Sequence, residues 1–341
     1  MGQQEPTKKE ILLLGSGGVG TIGALNLEVG GQASVTAVLR SNFKAVTDNG
    51  FSITSCDHGN VTGWRPSHIV GRVPTTNEQQ FDYIVVTTKN VPDCPPTVTD
   101  LIAPAVIPGR TVIVLIQNGL NIERPIFERF PDNICLSGVS MIGSHEVAHG
   151  IIEHEYPDEL ILGAFHNPRL DEKTEEAAAR EFIQMYSAGG KTACTFAENV
   201  PYSRWRKLIY NACLNSTCAV TGLDTGRIRM ANDTVATLVR PAMEEIRAAA
   251  AAAGVQLEPD ICDTMINLDP LTMYLSPSML VDVQKGHFTE VENLVGEPLR
   301  TGTALGVSMP TLSVLYSLLK AMQWRTMEKR GLVTIPPRTE S

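Results

Sequence analysis

Residues Glu10 to Gly20 read EILLLGSGGVG, an apolar run that breaks into glycines, and TIGALNLEVGG follows from Thr21 to Gly31. The apolar run has the length of one buried strand, and the stretch beyond the glycines can continue as a helix. Gly15, Gly17 and Gly20 therefore form a G-x-G-x-x-G pattern with a strand before it and a helix after it, the context a dinucleotide-binding turn needs. Glycine permits the tight turn and close backbone approach, while unpaired N–H groups at a helix start offer partial positive charge to a pyrophosphate. Gly15, Ser16, Gly17, Gly18, Val19 and Gly20 are the candidate pyrophosphate turn.

Working outward, Ser34 to Leu39 (SVTAVL) is a second strand at the spacing of a βαβ unit, ending in Arg40, Ser41 and Asn42 with Lys44 beyond. NAD-preferring units commonly place an Asp or Glu there to accept from the ribose 2′-OH. A guanidinium in place of a carboxylate suits a 2′-phosphate, so NADP is the expected cofactor and Arg40 its ligand. The competing reading of Arg40 is a surface charge at a strand end. Phe81 to Thr88 (FDYIVVTT) and Thr111 to Ile116 (TVIVLI) have the β-branched character of buried parallel strands. They end at Lys89 and at Gln117, Asn118 and Gly119, and polar residues at such carboxyl ends line the dinucleotide crevice.

GIIEHEY and ELILGAF, between Val139 and Gly163 and just beyond, alternate like antiparallel strands extending this sheet. Glu172 to Tyr186 reads as a helix and Thr192 to Ala197 as a last strand. His145, His149, His154 and His166 lack metal-ligand spacing and are expected in turns and on the surface; no metal is expected. From about Asn199 the pattern turns helical, with segments Trp205 to Val220, Thr234 to Ala253, Ser278 to Gly286, Thr289 to Leu305 and Thr311 to Gln323. The expected fold is α/β, an N-terminal Rossmann-type doubly wound sheet (residues 1–198) with a C-terminal all-helical domain (199–335) and a tail (336–341). A length of 341 residues agrees with two domains.

Within the helical part, Arg204 to Thr217 reads RWRKLIYNACLNST. At 3.6 residues per turn, Lys207, Asn211 and Asn215 drift by only about 40° per step and form one polar ridge on an apolar helix. Asparagine is a poor helix former, so the ridge reads either as a binding surface or as a solvated face.

Composition narrows the classes. Hydrophobic content of 43% with 19% charged residues is that of an ordinary globular protein, and a net charge of −9 argues against a nucleic-acid backbone as partner. The first ten residues are polar and the first apolar run is too short for a secretion signal or membrane span, so the cytoplasm is expected and no membrane partner. Gly2 lacks the Ser or Thr at position six that myristoylation prefers, and lipidation is discounted. Seven scattered cysteines without a CxxC pair read as buried free thiols.

GSGGVG, VLRS, TTK, QNG and WRKLIYNACLN, completed by SMLVDVQKGHFTEVENLVG from Ser278 to Gly296, resemble the ketopantoate reductase family (2-dehydropantoate 2-reductases). The order and spacing of W-x-K-L-x-x-N-x-x-x-N and S-M-L-x-D-x-x-x-G-x-x-T-E carry the resemblance over nearly the whole chain. It implies reduction of a 2-oxo acid by NADPH in a cleft between a Rossmann and a helical domain, with homodimers common. It assigns Lys207 as the catalytic lysine and Glu290 as its partner, also on the cofactor side. Asn211, Asn215 and Ser278 fall on substrate positions, Lys89 on the cofactor-side lysine, and Asn118 beside the nicotinamide, within reach of substrate. Gly15, Gly17, Gly20 and Arg40 match the dinucleotide site.

The chemistry agrees with those residue types. Hydride addition leaves negative charge on the carbonyl oxygen, where an ammonium polarises and protonates it, and a carboxylate holds that ammonium in place. Thr289 and Glu290 could instead simply cap a helix. Two positions depart from the family pattern: Leu275 replaces an asparagine three residues before Ser278, and Ser216 replaces a proline after Asn215. Loss of that asparagine favours a less hydroxylated acid, so 2-oxoisovalerate competes with ketopantoate. A silent dinucleotide sensor or a structural oligomer would need neither Lys207 nor Glu290. A 6-phosphogluconate-type dehydrogenase ranks third, its G-x-x-G-G-x-K helix pattern being absent.

Overall fold

The computed structural model describes residues 8–336. Gly2 and, apart from Pro336, the expected tail lie outside the described residues. Twelve strands are described: β1 (Lys9–Leu14), β2 (Ala33–Val38), β3 (Phe51–Ser55), β4 (Gly59–Trp64), β5 (His68–Val70), β6 (Tyr83–Val86), β7 (Val112–Leu115), β8 (Cys135–Ser140), β9 (Gly143–Ala148), β10 (Ile151–Tyr156), β11 (Glu159–Phe165) and β12 (Ala193–Phe196).

Eight strands form one sheet in the order β12-β11-β8-β7-β6-β1-β2-β5. From β5 to β8 all pairs are parallel, and counted along the chain those six strands follow the 3-2-1-4-5-6 order of a doubly wound dinucleotide fold. The order reverses between β1 and β6, which is where such sheets bind ligands. Register brings Leu14, Val38 and Val86 to one level, so Gly15, Arg40 and Lys89 all emerge at the same edge. Alternation explains the burial: Ile11 and Leu13 of β1 join one apolar layer, Leu12 and Leu14 the opposite one.

ELILGAF extends this sheet as expected, β11 pairing antiparallel with β8. GIIEHEY does not. It forms β10 of a separate four-stranded sheet, β4-β3-β10-β9, parallel to β3 and antiparallel to β9. Ile152 and His154 face inward, and Ile152 packs with Ile22, Leu25, Phe51 and Ile53. Alternation identified the strand, but a pleat carries no record of which neighbour it pairs with.

Contacts divide the chain into two compact units. The first runs through Asn90, then Pro96–Gln117 and Ile122–Val200; the second comprises Val91–Pro95, Asn118–Asn121 and everything from Pro201. The second is helical, its core built from residues such as Trp205, Ile209, Met243, Ile246, Leu294 and Leu315. Its long segments appear where the periodicity placed them, with Thr225–Met230 and Ile261–Ile266 in addition. The segment around Trp205–Val220 is not uniformly α-helical: Val200–Leu208 is α, Ile209–Asn215 is π-helical, and α-helix resumes at Ser216–Thr221. Val235–Val239 and Glu292–Gly296 are likewise π-helical.

Candidate functional site

The glycine turn is shaped for close approach. Gly15 has φ +107°, and a Cβ there would lie 2.7 Å from Thr88 N; one at Gly20 would lie 1.7 Å from Gly15 O. Neither position admits a side chain. Around Gly17 the situation is opposite, with nothing within 4 Å of a built Cβ. Gly17 opens the helix Gly18–Val29 without any side-chain cap, so the first-turn N–H groups remain for a ligand. The buried Ser16 Oγ has no hydrogen-bond partner among the described residues. Space, uncapped donors and an orphan hydroxyl together fit a pyrophosphate.

At the neighbouring strand ends, Arg40 is exposed after β2 and Lys89 is exposed three residues beyond β6. Arg40 forms no ion pair among the described residues. Asn42, to which the sequence assigned no role, is buried and donates to Ser16 O at 3.0 Å and to Glu146 Oε1 at 2.9 Å. It thereby ties the segment after β2 to the glycine turn. Its place immediately after Arg40 and Ser41 was the available signal.

In the helical unit, Lys207 is half-buried near the end of Val200–Leu208, while Asn211 and Asn215 lie on the π-helical stretch, 8% and 1% exposed. The two carboxamides are therefore not a solvated face. Asn211 Nδ2 points to Asn118 Oδ1 at 3.5 Å. Asn215 has different partners: its Oδ1 accepts Met279 N–H at 3.1 Å and its Nδ2 lies 3.4 Å from Ser278 Oγ. Asn215 thus fixes the start of the helix Ser278–Gln284, where Ser278 is exposed. Glu290 is 4% exposed, and a carboxylate so buried requires polar company. Neither Lys207 nor Glu290 stands free. Thr289 is not a simple cap, because Gln323 Oε1 accepts its N–H and hydroxyl at 3.0 and 3.2 Å.

A third group of polar side chains lies in the first unit. Contrary to the surface expectation, His154 is 2% exposed, whereas His145, His149 and His166 are exposed. Cys56, contrary to the buried-thiol expectation, is exposed; Cys135, Cys213, Cys218 and Cys262 are buried, and all seven are free. Cys56, Asp57 and His154 place their ligand atoms within 4.8 Å of one another. Hydrogen-bond arithmetic gives these atoms another use. Ser55 Oγ already accepts the N–H groups of Asp57 and His58, so its hydrogen goes to His154 Nδ1, 2.8 Å away. The neutral ring then carries its hydrogen on Nε2, facing Asp57 at 3.7 Å, and offers no lone pair there. Desolvation and then the charge of Asp57 raise the Cys56 thiol above its ordinary value, which disfavours a thiolate.

Comparison with known proteins covers both units of the chain. Residues 11–167 match the family model described as ketopantoate reductase PanE/ApbA, and residues 199–323 match its C-terminal counterpart. An uncharacterized protein of Saccharomyces cerevisiae is 38% identical over 96% of this chain and 98% of its own. The crystal structure of 2-dehydropantoate 2-reductase from Methylococcus capsulatus is 31% identical, with a TM-score of 0.76 over 93% of this chain and 97% of that one. A ternary structure of D-mandelate dehydrogenase with NADH and anilino(oxo)acetate shares the fold at 21% identity, with a TM-score of 0.78 over 93% of this chain and 99% of that one. The glycine turn, the doubly wound sheet and the helical unit that carries Lys207 are thus those of a nicotinamide-dinucleotide oxidoreductase, and the chain belongs to the ketopantoate reductase family.

Proposed function

We propose that this protein reduces a small branched 2-oxo acid to the 2-hydroxy acid with NADPH, 2-dehydropantoate to pantoate first, as in pantothenate biosynthesis. The observation that carries the reading is the burial of Asn211 on the helix of Lys207, its carboxamide turned to Asn118, since a buried carboxamide on the same helix as an ammonium suits an anionic, oxygen-rich ligand. When bound, the reduced nicotinamide supplies the hydride that adds to the carbonyl carbon. Lys207 polarises the carbonyl oxygen and delivers its proton there as the carbon–oxygen double bond becomes single. Glu290 holds the ammonium in position; Asn211, Asn118 and Ser278 donate to the substrate's oxygen atoms, and Asn215 steadies Ser278. On the cofactor side, the glycine turn would hold the pyrophosphate and Arg40 the 2′-phosphate, with Lys89 a further cation for the cofactor.

A second substrate, 2-oxoisovalerate, is favoured by Leu275, which brings no side-chain donor and whose carbonyl already accepts Thr225 N–H at 3.0 Å. Seven free thiols suit a reducing compartment, which supports a cytoplasmic enzyme, and family resemblance supports a homodimer. No helix among the described residues is long and apolar enough to cross a membrane.

The test is a panel of 2-oxo acids followed by NADPH absorbance, with Lys207→Ala alongside. Ketopantoate should give the highest kcat/KM, and Lys207→Ala should lower kcat by about 100-fold or more while NADPH binding, read by fluorescence, holds. A folded Lys207→Ala that turns over within a few-fold of the parent refutes Lys207 as proton donor. Faster turnover of 2-oxoisovalerate removes the pantothenate assignment and leaves the reductase.

A further inference from the structure

Between Gln117 and Asn118 the backbone changes allegiance. Gln117 Nε2 donates to Thr88 O at 2.6 Å, within the sheet unit, whereas Asn118–Asn121 belong to the helical unit. All four residues of that turn are tied there. Asn118 Oδ1 meets Asn211 Nδ2 at 3.5 Å, Arg204 Nη1 donates to Gly119 O at 3.1 Å, and Asn121 Nδ2 donates to the Glu297 carboxylate. Leu120 is held twice by one residue: its N–H donates to Asn293 O at 2.9 Å, and its carbonyl accepts Asn293 Nδ2 at 3.0 Å.

The fit around Asn293 is close. Gly119 has φ +104°, and a Cβ there would lie 2.5 Å from Asn293 Cβ. Asn293 is 6% exposed, Arg204 4%. Asn293 also sits in the π-helical turn Glu292–Gly296, three residues after Glu290. A π turn presents backbone and side chain at an angle an α-helix does not, and such turns recur at functional sites. With its oxygen directed at Asn211, the Asn118 carboxamide keeps its nitrogen for an outside acceptor.

From this geometry we infer that Asn293 is a positioning residue: it holds the turn 118–121 on the helical unit so that Asn118 serves the 2-oxo acid, as part of one surface with Asn211, rather than the dinucleotide. The inference rests on the function proposed above. It assigns the turn's precision to the Asn293–Leu120 pair of hydrogen bonds, and it makes acid binding, not cofactor binding, the quantity that loosens when the side-chain bond of the pair is removed and only the backbone bond is left.

The experiment uses the full chain with Asn293→Ala and the conservative Asn293→Gln. For the best 2-oxo acid of the panel, Asn293→Ala should raise KM on the order of 10- to 100-fold, the scale of a misplaced binding group. The Kd for NADPH, by fluorescence titration, should stay within about two-fold. Asn293→Gln, which retains the amide donor one methylene farther out, should recover part of the loss. Amide hydrogen exchange gives a readout independent of turnover: in Asn293→Ala the peptide containing Leu120 should exchange faster while that containing Gly15–Gly20 is unchanged. An unchanged KM in a folded Asn293→Ala, a Kd for NADPH that rises as much as KM, or unchanged exchange at Leu120 overturns the inference. Wild-type protein that reduces no 2-oxo acid overturns the functional reading as well, so the two failures are told apart by the parent enzyme.

Discussion

Arg40 stands exposed just beyond the end of β2 without an ion-pair partner among the described residues. A 2′-phosphate would supply one. Replacing Arg40 with alanine should raise KM for NADPH by the equivalent of about 1.5–3 kcal/mol, the range for a hydrogen bond to a charged group, and leave NADH nearly untouched. Steady-state kinetics with both cofactors decide it: equal losses would make Arg40 a general surface charge. Other residues were readable only in part. The i, i+4, i+8 spacing put Lys207, Asn211 and Asn215 on one ridge, but it could not tell Asn211, which faces Asn118, from Asn215, whose carboxamide is engaged by Ser278 and Met279. That distinction depends on partners 93, 63 and 64 residues away in the chain. Asn42, Arg204 and Asn293 escaped for the same reason, since each earns its place by bonding a backbone carbonyl that lies far along the sequence.

At the level of elements, the helix periodicity located each long segment of the second unit, yet the π turns were invisible because over five to seven residues the apolar spacing of a wider turn cannot be told from that of an α-helix. The short segment Val91–Pro95 was equally silent. It is fastened to the helix Pro310–Lys329 by Lys320, whose ammonium lies 2.7 Å from both Asp93 and Glu292. Burial by itself would push the Glu292 carboxyl up; hydrogen bonds from Lys320 and Tyr316, with the charge of Lys320, outweigh it and hold the group below its ordinary 4.5. A depressed carboxyl stabilises the fold above its unfolded value and loses that contribution as pH falls through the folded one. Lys320→Met should therefore lower Tm at neutral pH by about 2–4 °C, allowing for a partly solvated pair. The gap between variant and parent should narrow once pH drops below about 4.5, toward the folded-state value. Thermal unfolding across that range would detect it, and a gap independent of pH would exclude the Lys320–Glu292 linkage.

For the whole molecule, two compact units with separate apolar cores make cofactor binding a local stabilisation with a global readout. NADPH at about 100 times its Kd should add about 2.7 kcal/mol to the native state of the unit that binds it. Scanning calorimetry should show that unit's transition moving upward, with the shift kept in Lys207→Ala and reduced in Arg40→Ala. A transition that NADPH leaves in place would remove the glycine turn as its site. The doubly wound sheet, the change to helices near residue 199 and the ketopantoate reductase resemblance could all be read from local pattern, because strand, glycine turn and amphipathic helix are properties of neighbours within a few turns of chain. Tertiary structure alone decided that β10 joins a second sheet, that His154 is buried, and that residues 118–121 side with the helices. Those outcomes rest on pairings between distant segments, and a backbone N–H or a pleated edge accepts any suitably placed partner, so only the assembled packing selects one.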